Sequence, residues 1–227
     1  MMKKTLALTF LIGLGLHVSS AEGQALELTN DVIIPNQVSV SYENIEGKAA
    51  IRVVKDTTVK DVDEPTFVRI KGMDDFSNGT IEVKVLARLL KDAPAFARGF
   101  IGVAFRIDEL NSKYESIYIR PTNGRAEDQV RRNHSIQYYA YPGYKFDRLR
   151  KESPEQYEAY SDMGLNEWIK MKIAVNGQEA RLYLNDATQP SLIVKDMKHG
   201  AAAAGGIGLW VEIGTEGYFA DLRITKH

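Results

Sequence analysis

Side chains able to do chemistry crowd into one stretch of the chain, Arg120 to Tyr139, which carries Arg120, Asn123, Arg125, Asp128, Arg132, His134, Gln137 and Tyr139. Arginine, asparagine and glutamine present planar hydrogen-bonding forks, and tyrosine offers a flat ring with a polar tip. Such a segment is too polar for a core, and loops held by a rigid scaffold are where binding and catalytic groups gather. It therefore reads as the rim of a ligand site. His134 could act as a general base or a metal ligand beside Asp128 and Glu115, which makes His134, Glu115 and Asp128 the candidate catalytic groups. Solvated surface charge with local ion pairs is the competing reading of the same composition.

The elements that must position these groups show a period of two. Thr80–Val85, Ile169–Val175 and Ala180–Leu184 alternate apolar with polar residues, the pattern of half-buried strands. Further strands are expected near 38–42, 49–54, 67–70, 99–107, 114–120, 135–141, 191–194, 206–212 and 218–225. Asn78-Gly79, Asn123-Gly124 and Asn176-Gly177 mark tight turns, because Asn and Gly accept positive φ. Residues 152–160 are expected to form one short helical turn opened by Ser153-Pro154. About a dozen short antiparallel strands point to an all-β fold, a two-sheet antiparallel β-sandwich or jelly roll.

Alternation then assigns faces. Ile101, Val103, Phe105 and Ile107 form a core face, with Arg106 opposite. If the strands are neighbours, Arg106, Tyr118, Arg120, Gln137, Tyr139 and Trp210 share one non-core face. Rings for stacking beside bidentate donors are the chemistry of a saccharide receptor. An arginine inside a strand needs a carboxylate or a ligand to offset desolvation, and Glu115 or Asp128 could supply the structural pairing for Arg106.

Composition narrows the context. The succession Lys3-Lys4, an apolar run to Leu16 and Val18-Ser19-Ser20-Ala21 reads as a secretory signal peptide over residues 1–21, cleaved after Ala21 or, at a later cut, after Ala25. One domain over 22–227 is then expected in the periplasm or outside the cell. The chain has no cysteine, so neither a disulfide nor a cysteine-borne lipid anchor is expected. With 29 basic and 30 acidic residues the charge suggests no nucleic-acid partner, and no apolar run is long enough for membrane insertion. No metal motif, phosphate loop or Gly-x-Ser-x-Gly is present, so neither a metal nor a cofactor is expected.

The ordered segments Gly99–Arg106, Tyr114–Pro121, Ile136–Tyr138, Glu167–Lys170, Gly208–Trp210 and Tyr218–Ile224 resemble the concanavalin A-like lectin/glucanase jelly rolls. Among these the chain looks most like bacterial 3-keto-disaccharide hydrolase and laminin-G-like domains, from about Leu26 onward. The resemblance implies a curved sheet whose concave face and edge loops take carbohydrate. It carries Arg106, Glu115, Tyr118, Arg120 and Gln137 over as site positions. The Glu-x-Asp-x-x-Glu motif by which glucanases of this fold place two carboxyls on one strand is absent. The expectation is an exported saccharide-binding protein using Arg106, Tyr118, Arg120, Asn123, Arg125, Arg132, Gln137, Tyr139 and Trp210; the alternative is a glycoside hydrolase or lyase acting on a disaccharide or keto-sugar.

Overall fold

The computed structural model describes residues 23–227; the signal-peptide reading of residues 1–21 lies outside the described residues. The strands are β1 (Gln24–Leu26), β2 (Ile33–Asn36), β3 (Val38–Ile45), β4 (Lys48–Lys55), β5 (Phe67–Ile70), β6 (Gly79–Leu89), β7 (Ile101–Ile107), β8 (Tyr114–Ile119), β9 (Ile136–Tyr141), β10 (Glu158–Ala159), β11 (Ile169–Asn176), β12 (Glu179–Leu184), β13 (Leu192–Val194), β14 (Gly206–Val211) and β15 (Thr215–Lys226). The helical segments are α1 (Pro121–Gly124), α2 (Gln129–Asn133) and α3 (Phe146–Glu152). The strands make two antiparallel sheets. The first runs β13-β12-β11-β6-β15-β4-β3, with β1 added to β15, and the second runs β10-β9-β8-β7-β14-β5-β2.

The sandwich follows from the alternation. In β11, Ile169, Met171, Ile173 and Val175 are buried while Lys170 and Lys172 turn outward. In β6, Ile81, Val83 and Val85 are buried in the same core as Ile101, Val103 and Phe105 of β7 and Ile207, Leu209 and Val211 of β14. Each of these side chains contributes roughly 1.5–3 kcal/mol on burial. The β11–β12 hairpin turns at Asn176-Gly177, where Gly177 takes φ +57°, a value that glycine adopts without strain.

Three expectations need correction. The helical turn expected over 152–160 is instead α3 at 146–152, followed by β10. Proline lacks an N–H and disfavours helix in the residue before it, so Ser153-Pro154 closes this helix rather than opening one. Asn123-Gly124 is not a hairpin turn but the end of α1, which Pro121 begins. The polar connection between β8 and β9 also contains α2, capped by Asp128, whose Oδ1 accepts from the Arg131 N–H at 3.1 Å. The edge strand β2 escaped the alternation pattern, in part because it contains Pro35, which strands tolerate mainly at edges.

The second sheet departs from a simple sandwich. Every residue of β5, β7, β8 and β14 is buried, so both of its faces are covered. The first sheet covers one. The other lies beneath the chain between Asp61 and Thr66 together with Lys145 and α3.

Candidate functional site

Strand register lays one row of side chains across that second, covered face: Asn36, Phe67, Trp210, Gly102, Tyr118, Gln137 and Glu158, each the cross-strand partner of the next. Gly102 is required at its centre. A Cβ there would lie 2.5 Å from the Tyr118 Cα and 2.3 Å from the Ile117 carbonyl, which would separate the strands. Its absence lets the Tyr118 and Trp210 rings meet at 4.9 Å. Tyr139 in the next row lies 5.6 Å from both rings and 5.8 Å from Tyr114. These are the offset and edge-on contacts that aromatic quadrupoles favour.

At the β8–β10 end of the row the aromatics give way to a charged cluster. Arg120, just past β8, donates from Nη2 to the Tyr118 hydroxyl (2.7 Å) and to Gln137 Oε1 (3.2 Å), and from Nη1 to the His134 carbonyl (2.9 Å) and Glu158 Oε1 (3.3 Å). Glu158 is the hub. Arg150 donates to both of its oxygens, from Nε to Oε2 at 3.0 Å and from Nη2 to Oε1, and His134 Nδ1 lies 2.9 Å from Oε2. The imidazole is close enough for an ion pair but out of line for a formed N–H···O bond. Burial holds the His134 pKa below the ordinary histidine value, and Arg150 and Arg120 push the same way against the pull of Glu158. The neutral imidazole, the form that accepts a proton, is thereby favoured.

The aromatic floor is closed. Trp210 Nε1 donates to the Glu64 carbonyl at 3.0 Å, Lys145 Nζ reaches the Val62 carbonyl and Glu64 Oε1, each at 2.7 Å, and the Tyr141 hydroxyl donates to Glu64 Oε2 at 3.0 Å. Glu212 anchors the far side, accepting from Lys55 Nζ, from the Asp63 N–H (2.6 Å) and from the Ile213 N–H (2.7 Å). Asp63, within the covering segment, is itself buried. Burial first, and the neighbouring Glu212 carboxylate second, push its pKa up to about 6. Burial likewise raises the phenols of Tyr114, Tyr118 and Tyr139 well above their usual value.

The structure brings together Tyr118, Arg120, Gln137, Tyr139 and Trp210, as the alternation implied, and buries all five. Arg106 does not join them. It sits at a register shift between β7 and β14 with φ +55°, and its guanidinium donates to the carbonyls of Ser77, Gly177 and Gly200. Neither Glu115 nor Asp128 bonds it; three loops do. The proposed catalytic trio is not assembled either. Glu115 pairs with Phe105 and Ala140 on the inter-sheet face and accepts from the Tyr138 hydroxyl and the His199 N–H. Asp128 is the exposed cap of α2. His134 instead faces Glu158.

Three further residues serve local structure. Buried Asn123 donates to the His134 carbonyl at 3.0 Å and accepts from Arg131 Nε at 2.9 Å. Exposed Arg125 is bound by Asp162 and Glu167. Arg132 lies over the Tyr160 ring at 5.0 Å and donates to its hydroxyl at 2.8 Å. Sequence reasoning missed Glu158, Arg150 and Asp63. Only a correct ending for α3 would have freed Glu158 to pair with Gln137.

Among the described residues no group of three or more His, Asp or Glu is placed to hold a metal ion. A groove of about 1020 Å³ opens elsewhere, on the first sheet beside β1, lined by Tyr42, Lys84, Lys170, Asp186 and Asp221 among others. Its central charges are mutually paired, Asp221 with Lys48 and Lys84 and Lys170 with Glu82 and Asp186, while Glu27 and Arg223 at its lining lie in no ion pair among the described residues. The cluster around Glu158 is therefore the better candidate.

No protein-family model and no curated protein matches the chain. Solved structures do. A protein of unknown function with a galectin-like fold from Bacillus subtilis is 12% identical over 90% of this chain and 97% of its own, with a TM-score of 0.55. The carbohydrate binding module CBM66 from Bacillus subtilis is 11% identical over 85% and 97%, with a TM-score of 0.52. A provisionally named glycosyl hydrolase from Parabacteroides distasonis is 15% identical over 86% and 99%, with a TM-score of 0.51. At these identities the likeness is one of fold: the chain is a two-sheet antiparallel jelly roll with a galectin-like fold.

Proposed function

We propose that the protein is an exported saccharide-binding jelly roll whose ligand sits at the β8–β10 end of the second sheet, over the concave side that the resemblance implied. One observation carries the reading. Flat rings and hydrogen-bonding forks come to the surface together there. Phe100, 6.1 Å from the Tyr118 ring, and Phe146, under the Arg120 and Arg150 guanidiniums at 5.7 and 5.3 Å, are half-buried, as are His134 and Arg150. Sugars offer C–H patches to such rings and hydroxyls to such donors. A carbohydrate-binding module among the structures of the same fold supports the reading, although fold alone does not assign function. Titration calorimetry against the best sugar of a glycan array should show affinity falling about tenfold or more in Phe146→Ala, the loss expected for one stacking contact. An array that retains no saccharide would sink the proposal.

One arrangement favours a second reading, a hydrolase or lyase acting on a disaccharide or keto-sugar. His134 Nδ1 lies 2.9 Å from Glu158 Oε2, so a small rotation of the ring would let the carboxylate hold the imidazole as a general base. Should the wild type release reducing ends or turn over a keto-sugar, His134→Gln is expected to slow it about 10²–10⁴-fold with little change in affinity. No turnover across a disaccharide panel would leave the binding reading alone.

A further inference from the structure

Most arginines of this chain are matched to carboxylates: Arg52, Arg69, Arg120, Arg125, Arg148, Arg150 and Arg181 all lie in ion pairs. Three at the candidate site, Arg98, Arg131 and Arg132, are not. Arg98, half-buried on the loop before β7, spends only Nη1, on the carbonyls of Ala95 and Ala97, both at 2.8 Å. Arg131 of α2 donates from Nε to Asn123 Oδ1 and from Nη2 to the Thr122 hydroxyl at 3.0 Å. Thr122 ties the two together, because its N–H donates to the Arg98 carbonyl at 3.3 Å. Arg98 Nε and Nη2 and Arg131 Nη1 have no hydrogen-bond partner among the described residues. Neighbouring Arg132 adds a buried Nε that also lacks one.

No nearby acid pairs with either guanidinium: Asp128 only caps α2 through the Arg131 backbone N–H, and Glu127 is exposed and lies in no ion pair among the described residues. Glu158 serves Arg120, Arg150 and His134, while Asp162 and Glu167 serve Arg125. Burial lowers the Arg98 pKa, and the charges of Arg131 and Arg120 lower it further, as expected of guanidiniums crowded without a counter-charge. Arg106 shows the contrast. It too lacks a carboxylate, but carbonyls of three loops take four of its hydrogen bonds.

We propose that Arg98 and Arg131 hold an anionic substituent, a carboxylate or sulfate ester, of the saccharide bound at this end of the sheet, so that the ligand is an acidic rather than a neutral glycan. Guanidinium forks match the planar carboxylate and the sulfate oxygens bidentately, which a neutral hydroxyl cannot do. The assignment rests on the saccharide reading above and names the class of sugar within it.

The test uses the full mature chain on an array carrying oligogalacturonate, its carboxyl-reduced neutral counterpart and a sulfated galactan oligosaccharide. The expected result is at least about tenfold tighter binding of one acidic glycan than of the neutral counterpart, an advantage that shrinks as NaCl rises from about 50 to 500 mM. Arg98→Gln and Arg131→Gln should each remove the advantage and leave weak neutral binding in place. Arg98→Lys, on an exposed-edge loop, should keep part of it and covers the case in which Arg131→Gln folds poorly. A preference for the sulfated over the uronate glycan, lost in the same variants, supports the assignment and identifies the anion. Equal binding of acidic and neutral glycans, or an acidic preference that survives both variants, overturns it while the saccharide reading stands. Binding of none of them overturns both.

Discussion

On the first sheet, β6 turns Glu82, Lys84 and Arg88 outward and β11 turns Lys170 and Lys172 outward: Lys170 pairs with Glu82 and Asp186, Lys84 pairs with Asp221, Arg88 donates to Asn166 and the Tyr218 hydroxyl, and Lys172 lies over the Tyr183 ring. On the second, the corresponding outward positions of β5, β14, β8 and β9 hold Phe67, Trp210, Tyr118 and Tyr139, all essentially inaccessible. Both faces point away from the shared core, and the alternation that defines them is equally regular. What differs is the third layer. The Asp61–Thr66 segment and α3 turn half of the sandwich into a three-layered structure, so aromatic rings on a sheet's outer face signal a cover there rather than an open floor.

The largest effect should come from breaking that cover. Trp210→Ala removes a ring in contact with Tyr118 and Tyr139 and orphans the Glu64 carbonyl, and is expected to destabilise the fold by about 3–5 kcal/mol. Lys172→Ala, its counterpart on the first sheet, should stay within about 0.5 kcal/mol. Urea titrations of the pair would measure the gap. If Trp210→Ala cost less than about 1 kcal/mol, the ring would be open to solvent and the comparison between the faces would collapse.

A second pair compares charge with charge. Glu158→Gln leaves Arg120 buried without its carboxylate and should destabilise by about 3–5 kcal/mol. Asp221→Asn breaks two ion pairs on the first sheet, but its carboxylate is 46% exposed and its φ of +55° suits asparagine, so about 1 kcal/mol or less is expected. Similar losses in the two variants would show that the Glu158 cluster is solvated in solution.

The sequence made the strands and the shared face of Tyr118, Gln137, Tyr139 and Trp210 readable, because both depend only on a local period of two. The cover was not readable. It rests on contacts such as Trp210 Nε1 with the Glu64 carbonyl, separated by 146 residues, and nothing near Glu64 announces its partner. Arg106 left the expected face through a positive φ that arginine rarely adopts and that no neighbouring residue signals. Glu158 was hidden by a single misreading, Pro154 as the start of a helix that in fact had just ended. Of the residues read as a site, Tyr118, Arg120, Gln137 and Tyr139 do come together, whereas Glu115 and Asp128 lie apart from His134, which faces Glu158 instead.

Asp63 tests the cover by pH. Its pKa of about 6 in the folded state stands above the ordinary 3.8, so between those values the native chain holds a proton that the unfolded chain has released. Stability should therefore fall as pH rises through that window, by up to roughly 3 kcal/mol for one such group. Asp63→Asn keeps an acceptor for the Phe146 N–H and cannot ionise. It is expected to be more stable than the wild type at pH 8 and equal to it near pH 4, as read from melting temperatures across the range. An unchanged pH profile would mean that water already reaches Asp63 within the covering segment.

The smallest effect belongs to His134 and has the opposite sign. With its pKa below 6.5 in the folded state, the unfolded chain protonates first as pH falls, so this group withdraws stability on the acid side of neutrality. The side chain is one-fifth exposed and Glu158 opposes the shift, which makes the effect smaller than that of Asp63 in the same window. Measuring it in the Asp63→Asn background separates the two: adding His134→Gln should flatten the remaining acid limb between pH 7 and 5. Direct titration of the imidazole by NMR decides the chemistry as well. A value below 6.5 leaves a neutral base facing the rim, as the second reading requires. A value above it would mean that Glu158 dominates, that His134 is a cation in a three-way ion pair with Arg120 and Arg150, and that this end of the sheet carries yet another positive charge for an anionic sugar to meet.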